Sequence, residues 1–177
     1  AASSVGIRPS TAKRHLADLR ARSGLTTEQL IYRGRAEGWL VVPGLEPGEK
    51  GSGIHVWNTD GFTLTDNRIY EARDGLYIQS SPHGLVARNV ASRVRYGLHY
   101  MYSDDNHFEG NVFRDNAAGA AIMSSKNIVL RRNQFLANMS HRAYGILLQT
   151  VDGTTLEENR IAGNTIGVFF ESGHGNR

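Results

Sequence analysis

The chain has 177 residues, a formal net charge of +3, 20 Gly, 4 Pro and no Cys. That length holds one domain with room for a small second one. The missing cysteines exclude disulfides and thiolate metal sites, leaving His, Met, Asp and Glu as side-chain ligands. No apolar run approaches the length of a membrane helix, so no membrane insertion is expected of this chain. The first residues, AASSVGIRPS, lack the apolar centre of a signal peptide. Charge is unevenly spread. Residues 1–45 carry seven Arg/Lys against three acids, while residues 51–177 carry twelve of each. The basic excess belongs to the N-terminal part, and an excess of this size is a weak nucleic-acid signal.

Residues 10–40 read as helix. Ser10 or Thr11 can cap an N-terminus, Ala12, Leu16 and Leu19 share a face, and Gly24 can end the segment. Thr26 to Gln29 opens a second helix containing Leu30, Ile31 and Tyr32, with Gly38 after it. The stretch TAKRHLADLRARSGLTTEQLIYRGRAEGWL resembles the last two helices of a LuxR-type DNA-binding domain. That resemblance implies phosphate and base contacts by Lys13, Arg14, His15 and Arg20. The two preceding helices of such a module are missing, and half a module cannot bury its core. The expectation is therefore a helical arm or cap over residues 1–40, with no nucleic-acid partner. Residues 41–52, VVPGLEPGEKGS, are rich in Gly and Pro and read as linker.

From residue 53 to the end the chain repeats. Gly53, Gly75, Gly97, Gly119, Gly145 and Gly167 are separated by 22, 22, 22, 26 and 22 residues. Each opens an apolar run: GIHVWNT, GLYIQSS, GLHYMYS, GAAIMSS, GILLQTV and GVFFESG. Asn67, Asn89, Asn111, Asn133 and Asn159 keep step, and Asn116, Asn138 and Asn164 form a second ladder five residues later. A fixed period of this length means stacked, self-similar coils. Each unit shows a short alternating strand, a turn and a second strand, which suits strands and not helices. The fold class expected is all-β, a right-handed parallel β-helix of five to six coils of about 22 residues with a short α-helical N-terminal arm. Asn suits a fixed corner because it tolerates the left-handed conformation and can bond to its counterpart in the next coil. The Leu-x-x-Leu-x-Leu signature of leucine-rich repeats is absent, and a propeller blade needs almost twice the period.

Stacking turns sequence columns into surface columns. With the head glycine as position one, positions two and four are mostly apolar and point inward. Position three reads His55, Tyr77, His99, Ala121, Leu147, Phe169, and position five reads Trp57, Gln79, Met101, Met123, Gln149, Glu171. These point outward, where His, Trp, Tyr and Met in place of Lys, Glu and Thr mark a binding surface. Met101 and Met123 occupy one column on adjacent rungs, about 4.8 Å apart. His99 precedes Met101 by two residues on the same face, about 7 Å along the strand. Two thioethers and an imidazole favour copper, and Cu(I) above all. His55, about 10 Å from His99, is a secondary candidate. Met139 and His141 in the expanded 26-residue unit are others. Phe169 on the last rung is expected to be exposed, and the chain stops mid-coil at SGHGNR, as a fragment of a longer protein would.

The run from Arg93 to Thr150 resembles the NosD family, most specifically in YGLHYMYSDDN (96–106) and RAYGILLQT (142–150), and the resemblance covers about residues 53–177. It implies a β-helical periplasmic protein that supplies copper or sulfur to the copper centres of nitrous-oxide reductase. It also implies an ABC transporter and a copper chaperone as partners, and no catalysis of its own. His99, Met101 and Met123 stand inside the family-like motif. Family members are longer and carry a secretion signal.

Two other readings compete. Parallel β-helices often host uronate epimerases and polysaccharide lyases, whose chemistry needs a base and a charge-neutralising group. His83, Asp104, Asp105 and His107 are the candidates, with His83 expected near Asp104. Asp is common at turns without any function. Alternatively, Trp57, Tyr77 and Tyr102 anchor a partner protein on a metal-free scaffold.

Overall fold

Parallel strands require a full circuit of chain between neighbours, and the 22-residue repeat supplies one. The computed structural model describes residues 50–141 and 143–177, with Ala17, Arg20 and Ala21. The chain divides into two compact units, residues 1–45 and 46–177. In the first, Ala17, Arg20 and Ala21 are helical and exposed. The rest of the expected arm, including Lys13, Arg14 and His15, and residues 41–49 of the linker lie outside the described residues. Among the described residues no helix is long and apolar enough to cross a membrane.

The second unit is a parallel β-helix with three strands per coil, one more than the alternation of the sequence displays. Sheet 1 holds β1 (Ile54–Trp57), β4 (Leu76–Gln79), β7 (Tyr96–Met101), β10 (Ala118–Lys126), β13 (Tyr144–Asp152) and β16 (Ile166–Glu171), in that spatial order. Sheet 2 stacks β2 (Thr63–Thr65), β5 (Leu85–Ala87), β8 (His107–Glu109), β11 (Val129–Arg131) and β14 (Thr155–Glu157). Sheet 3 stacks β3 (Arg68–Tyr70), β6 (Val90–Ser92), β9 (Val112–Arg114), β12 (Gln134–Leu136) and β15 (Arg160–Ala162). The pairing is one period deep throughout: Ile54, Leu76, Leu98, Ala120, Ile146 and Val168 are register partners in sequence.

The core follows from that register. Leu76, Ile78, Leu98, Ile122 and Ile146 of sheet 1 are fully buried against Val86, Phe108 and Leu130 of sheet 2 and Phe113 and Phe135 of sheet 3. Phe113 and Phe135 stack at 5.3 Å, and Tyr100 meets Phe108 edge-on at 5.4 Å. Tyr100 is a polar residue in the inward column. Its hydroxyl donates to the Ser103 carbonyl and accepts from Asn106 Nδ2, and burial pushes the phenol's pKa up. On the last rung Ile166, Phe169 and Phe170 are exposed.

The corners are held by side-chain amides. The Asn89 N–H donates to Asn111 Oδ1, the Asn111 N–H to Asn133 Oδ1, and the Asn133 N–H to Asn159 Oδ1, each at 2.9 Å. Each buried amide also donates back to the coil below, Asn111 Nδ2 to the Val86 carbonyl at 2.8 Å and Asn133 Nδ2 to the Phe108 carbonyl at 2.9 Å. The second ladder runs from the Val94 N–H through Asn116 and Asn138 to Asn164. The left-handed conformation expected of these asparagines falls instead on the residue before each. Asp66, Arg88, Gly110, Arg132 and Glu158 have φ of 61°, 57°, 63°, 54° and 53°. The asparagine keeps ordinary backbone so that its side chain can reach the ladder.

A third ladder was not anticipated from the sequence. The Ser81 N–H donates to Ser103 Oγ and the Ser103 N–H to Ser125 Oγ. Ser103 Oγ and Ser125 Oγ donate in turn to the carbonyls of Met101 and Met123. The head glycines answer a different need. A Cβ on Gly97 would lie 2.7 Å from the Gly119 carbonyl oxygen and 2.8 Å from the Phe113 ring, so close coil approach requires glycine there.

Removing the Asn133 side chain strands the Asn111 N–H, the Asn111 amide and the Phe108 carbonyl in a dry interior. Asn133→Ala is expected to lower unfolding free energy by about 3 kcal/mol. Asn67→Ala, at the part-buried first coil, should cost clearly less. Chemical denaturation of both variants checks the order, and equal losses would contradict the ladder's role.

Candidate metal site

The candidate ligands and rings lie on the outer face of sheet 1, on β1, β4, β7 and β10. Register pairing sets His99 beside Tyr77 on one side and Ala121 on the other, and Met101 beside Gln79 and Met123. Met101 and Met123 are therefore direct cross-strand neighbours on one face. The serine ladder pins the ends of the strands that carry them. His99 sits two residues before Met101 on that same face.

Three rings stack up the face. His55 lies on Tyr77 at 4.5 Å, and Tyr77 lies on His99 at 4.6 Å, both 15° from parallel. Tyr96 closes against His99 at 5.1 Å, tilted by 46°. The Tyr77 hydroxyl donates to Gln79 Oε1 at 2.7 Å and lies 3.7 Å from Met101 Sδ. Tyr77 thus has both ring faces covered, whereas Trp57 and Tyr102 are exposed. Tyr102 also holds a left-handed φ of 52°.

Two residues absent from the sequence reading complete the site. The Asp74 side chain, only 3% exposed, takes a bidentate pair from Arg95, Nε to Oδ1 at 2.8 Å and Nη2 to Oδ2 at 2.7 Å. His99 Nδ1 lies 3.2 Å from the same Oδ2. Burial alone would raise the Asp74 carboxyl. Hydrogen bonds from His99 and Arg95, together with the charge of Arg95, outweigh it and hold the group well below the usual carboxylate range. The one sequence signal for Asp74 is its column. The residues before the head glycines are Ser52, Asp74, Tyr96, Ala118, Tyr144 and Ile166, and only one of them is charged.

Met139 and His141 lie in the four-residue expansion between Asn138 and Gly145, the former 71% exposed. Among the described residues no hydrogen bond or ring contact joins either to His99, Met101 or Met123. Among the described residues, too, no three His, Asp or Glu side chains converge as a metal cluster. The ligand chemistry of the outer face is therefore that of thioether and imidazole, a soft to borderline set.

The carbohydrate candidates sit elsewhere, at the turns between sheets 1 and 2 and on sheet 2. His83 Nδ1 pairs with Asp60 Oδ1 at 2.7 Å, while its Nε2 is 3.8 Å from Asp105 Oδ2. Asp104, the neighbour expected for His83, instead accepts the Lys126 N–H at 2.8 Å. Asp104 meets His83 only through the backbone. Asp105 accepts from Asn127 Nδ2 at 3.0 Å, and His107 lies 3.6 Å from Glu109 on β8. His83, Asp104 and Asp105 thus meet at one turn column, with His83 and Asp105 each also held by another partner, Asp60 and Asn127. Hydrogen bonding to Asp60, opposed by slight desolvation and aided by the charges of Asp60 and Asp105, raises the His83 pKa.

The profile of the family described as "Periplasmic copper-binding protein (NosD)" matches residues 28–177, reaching further towards the N-terminus than the resemblance at residue 53. None of the curated proteins matches the chain. Among solved structures, the periplasmic alginate epimerase AlgG is similar, with 16% identity and a TM-score of 0.55 over 72% of this chain and 36% of that one. At that identity the likeness shows the fold alone, and the chain spans little more than a third of that protein.

The His83–Asp60 pair gives a pH prediction. A histidine whose folded pKa is raised contributes stability that is complete below its unfolded value and is lost as pH rises through the folded one. By NMR titration the His83 midpoint should lie above 6.5, the ordinary value, and Asp60→Asn should bring it down. An unmoved midpoint in the variant would remove Asp60 as the cause.

Proposed function

Because the chain belongs to the NosD family of periplasmic copper-binding proteins, we propose that the outer face of sheet 1 carries Cu(I) as cargo through His99, Met101 and Met123. The observation that carries this reading is the register: Met101 pairs with Met123 across adjacent strands, beside His99. The donor set fits the cargo. Thioethers and imidazole match a soft monovalent ion, and no carboxylate is a register partner of Met101 or Met123 to favour a hard one. Thioethers also need no deprotonation, so uptake does not depend on releasing a proton from them.

The wider role follows the family resemblance. The protein works in the periplasm beside an ABC transporter and receives copper from a chaperone. It serves assembly of the copper centres of nitrous-oxide reductase without catalysing a reaction itself. Trp57 and Tyr102, exposed at the same end of the strands as Met101, supply apolar surface for a partner that delivers or takes the ion. The epimerase reading rests on fold likeness, which does not fix chemistry, and its one side-chain contact, His83 with Asp105 at 3.8 Å, is exposed and secondary to the Asp60 and Asn127 bonds of the two groups.

An anaerobic Cu(I) competition titration tests the site. One equivalent is expected to bind the parent, and the double variant Met101→Leu/Met123→Leu should lose at least about tenfold in affinity. Its circular dichroism should be unchanged, since Leu keeps the volume. No binding by the parent, or equal binding by the variant, would sink the proposal and leave the face as a protein- or sugar-docking surface.

A further inference from the structure

We infer that Asp74 is the positioning residue of this site: it fixes His99 with the proton on Nδ1 and leaves the Nε2 lone pair for the metal. The inference deepens the copper reading and rests on it.

An ionised carboxylate only accepts hydrogen bonds. Both Asp74 oxygens accept from the Arg95 guanidinium, Oδ1 from Nε and Oδ2 from Nη2, the pairing geometry of an ionised carboxylate. Across the 3.2 Å contact, His99 Nδ1 must therefore be the donor. In a neutral imidazole the other nitrogen then carries the lone pair, and the ring geometry turns it away from the carboxylate. Among the described residues Nε2 has no hydrogen-bond partner. The ring cannot easily swing to exchange its nitrogens, because Tyr77 is stacked on it and Tyr96 leans against it.

A purely structural role for Asp74 is the alternative, since the Arg95 pair by itself links two coils. Two features go beyond that role. Oδ2 is shared between Arg95 and His99, and the carboxylate lies behind the histidine two residues before Met101 on the strand that pairs with that of Met123. Carboxylates placed behind metal-ligating histidines orient the ring and raise its basicity, and their loss typically costs about 10- to 100-fold in metal affinity.

Nitrogen-15 imidazole shifts of the metal-free parent, recorded where histidines are neutral, provide the first test. His99 should show the Nδ1–H tautomer, and an Nε2–H tautomer overturns the inference without any variant. In Asp74→Asn, with an intact fold by its amide spectrum, the tautomer preference should be lost or reversed. Its Cu(I) affinity should fall about 10- to 100-fold. Arg95→Gln keeps the carboxylate and removes the ion pair. It should lower the thermal midpoint yet retain the tautomer, and equal tautomer loss in both variants would mean a structural role only. Unchanged Cu(I) affinity in Asp74→Asn defeats this inference alone. Absence of Cu(I) binding in the parent defeats the copper reading, and this inference with it.

Discussion

Every coil must return the chain to its starting column, and the amide and hydroxyl ladders at the corners enforce that return. Asn111 is bonded through both backbone and side chain to Asn133 above, and its amide reaches down to Val86. A coil of different length would leave these groups unpaired in a dry interior, at about 1–3 kcal/mol each. The one length change in the repeat respects this constraint. Its four extra residues fall between Asn138 and Gly145, after the second ladder has closed and before the next strand begins. Both ladders pass the expansion intact, Asn133 bonding Asn159 and Asn138 bonding Asn164.

This constraint decides what the sequence can reveal. Residues in one column become neighbours whatever their chemistry, so the pairing of Met101 with Met123, and the neighbours of His99, are legible from spacing alone. The inward columns are legible for the same reason, with Tyr100 buried among aliphatic counterparts. Contacts that run diagonally between columns are not. Asp74 and His99 are 25 residues apart and Asp60 and His83 are 23 apart, neither a whole period. Such contacts depend on side-chain length and rotamer, on which the repeat places no condition. His83 illustrates the point: counting coils directs it to Asp104, and its side chain turns back to Asp60 instead.

The third strand of each coil was hidden for a related reason. A three-residue strand such as Val112–Arg114 has one inward side chain, Phe113, and shows no alternation to count. The corners misled in another way. Asn is a good left-handed residue, yet in these corners its amide is the scarcer resource. The left-handed position passes to Asp66, Arg88, Arg132 and Glu158, whose long or charged side chains gain solvent exposure. Arg88 then meets Asp66 at 2.7 Å and Arg132 meets Glu158 at 2.6 Å, one coil apart. Pairs this exposed contribute little to stability, so the corners depend on the ladders beneath them.

The same separation governs function. Positions three and five of each strand point away from both core and ladders, so their chemistry can change without disturbing the fold. Sheet 1 uses that freedom to gather soft ligands and rings in place of the charges of an ordinary solvated face. Its one buried charge, Asp74, is neutralised by Arg95 behind the face, so the face itself presents uncharged donors. An uncharged, soft, partly exposed donor set suits an ion that must be released as readily as it is held. A carboxylate or thiolate cage would hold its ion more tightly and exchange it more slowly. The β-helix contributes a rigid spacing: backbone hydrogen bonds hold the strands that carry the two methionines about 4.8 Å apart, so most of the cost of bringing the thioethers together is met when the chain folds, before any ion arrives.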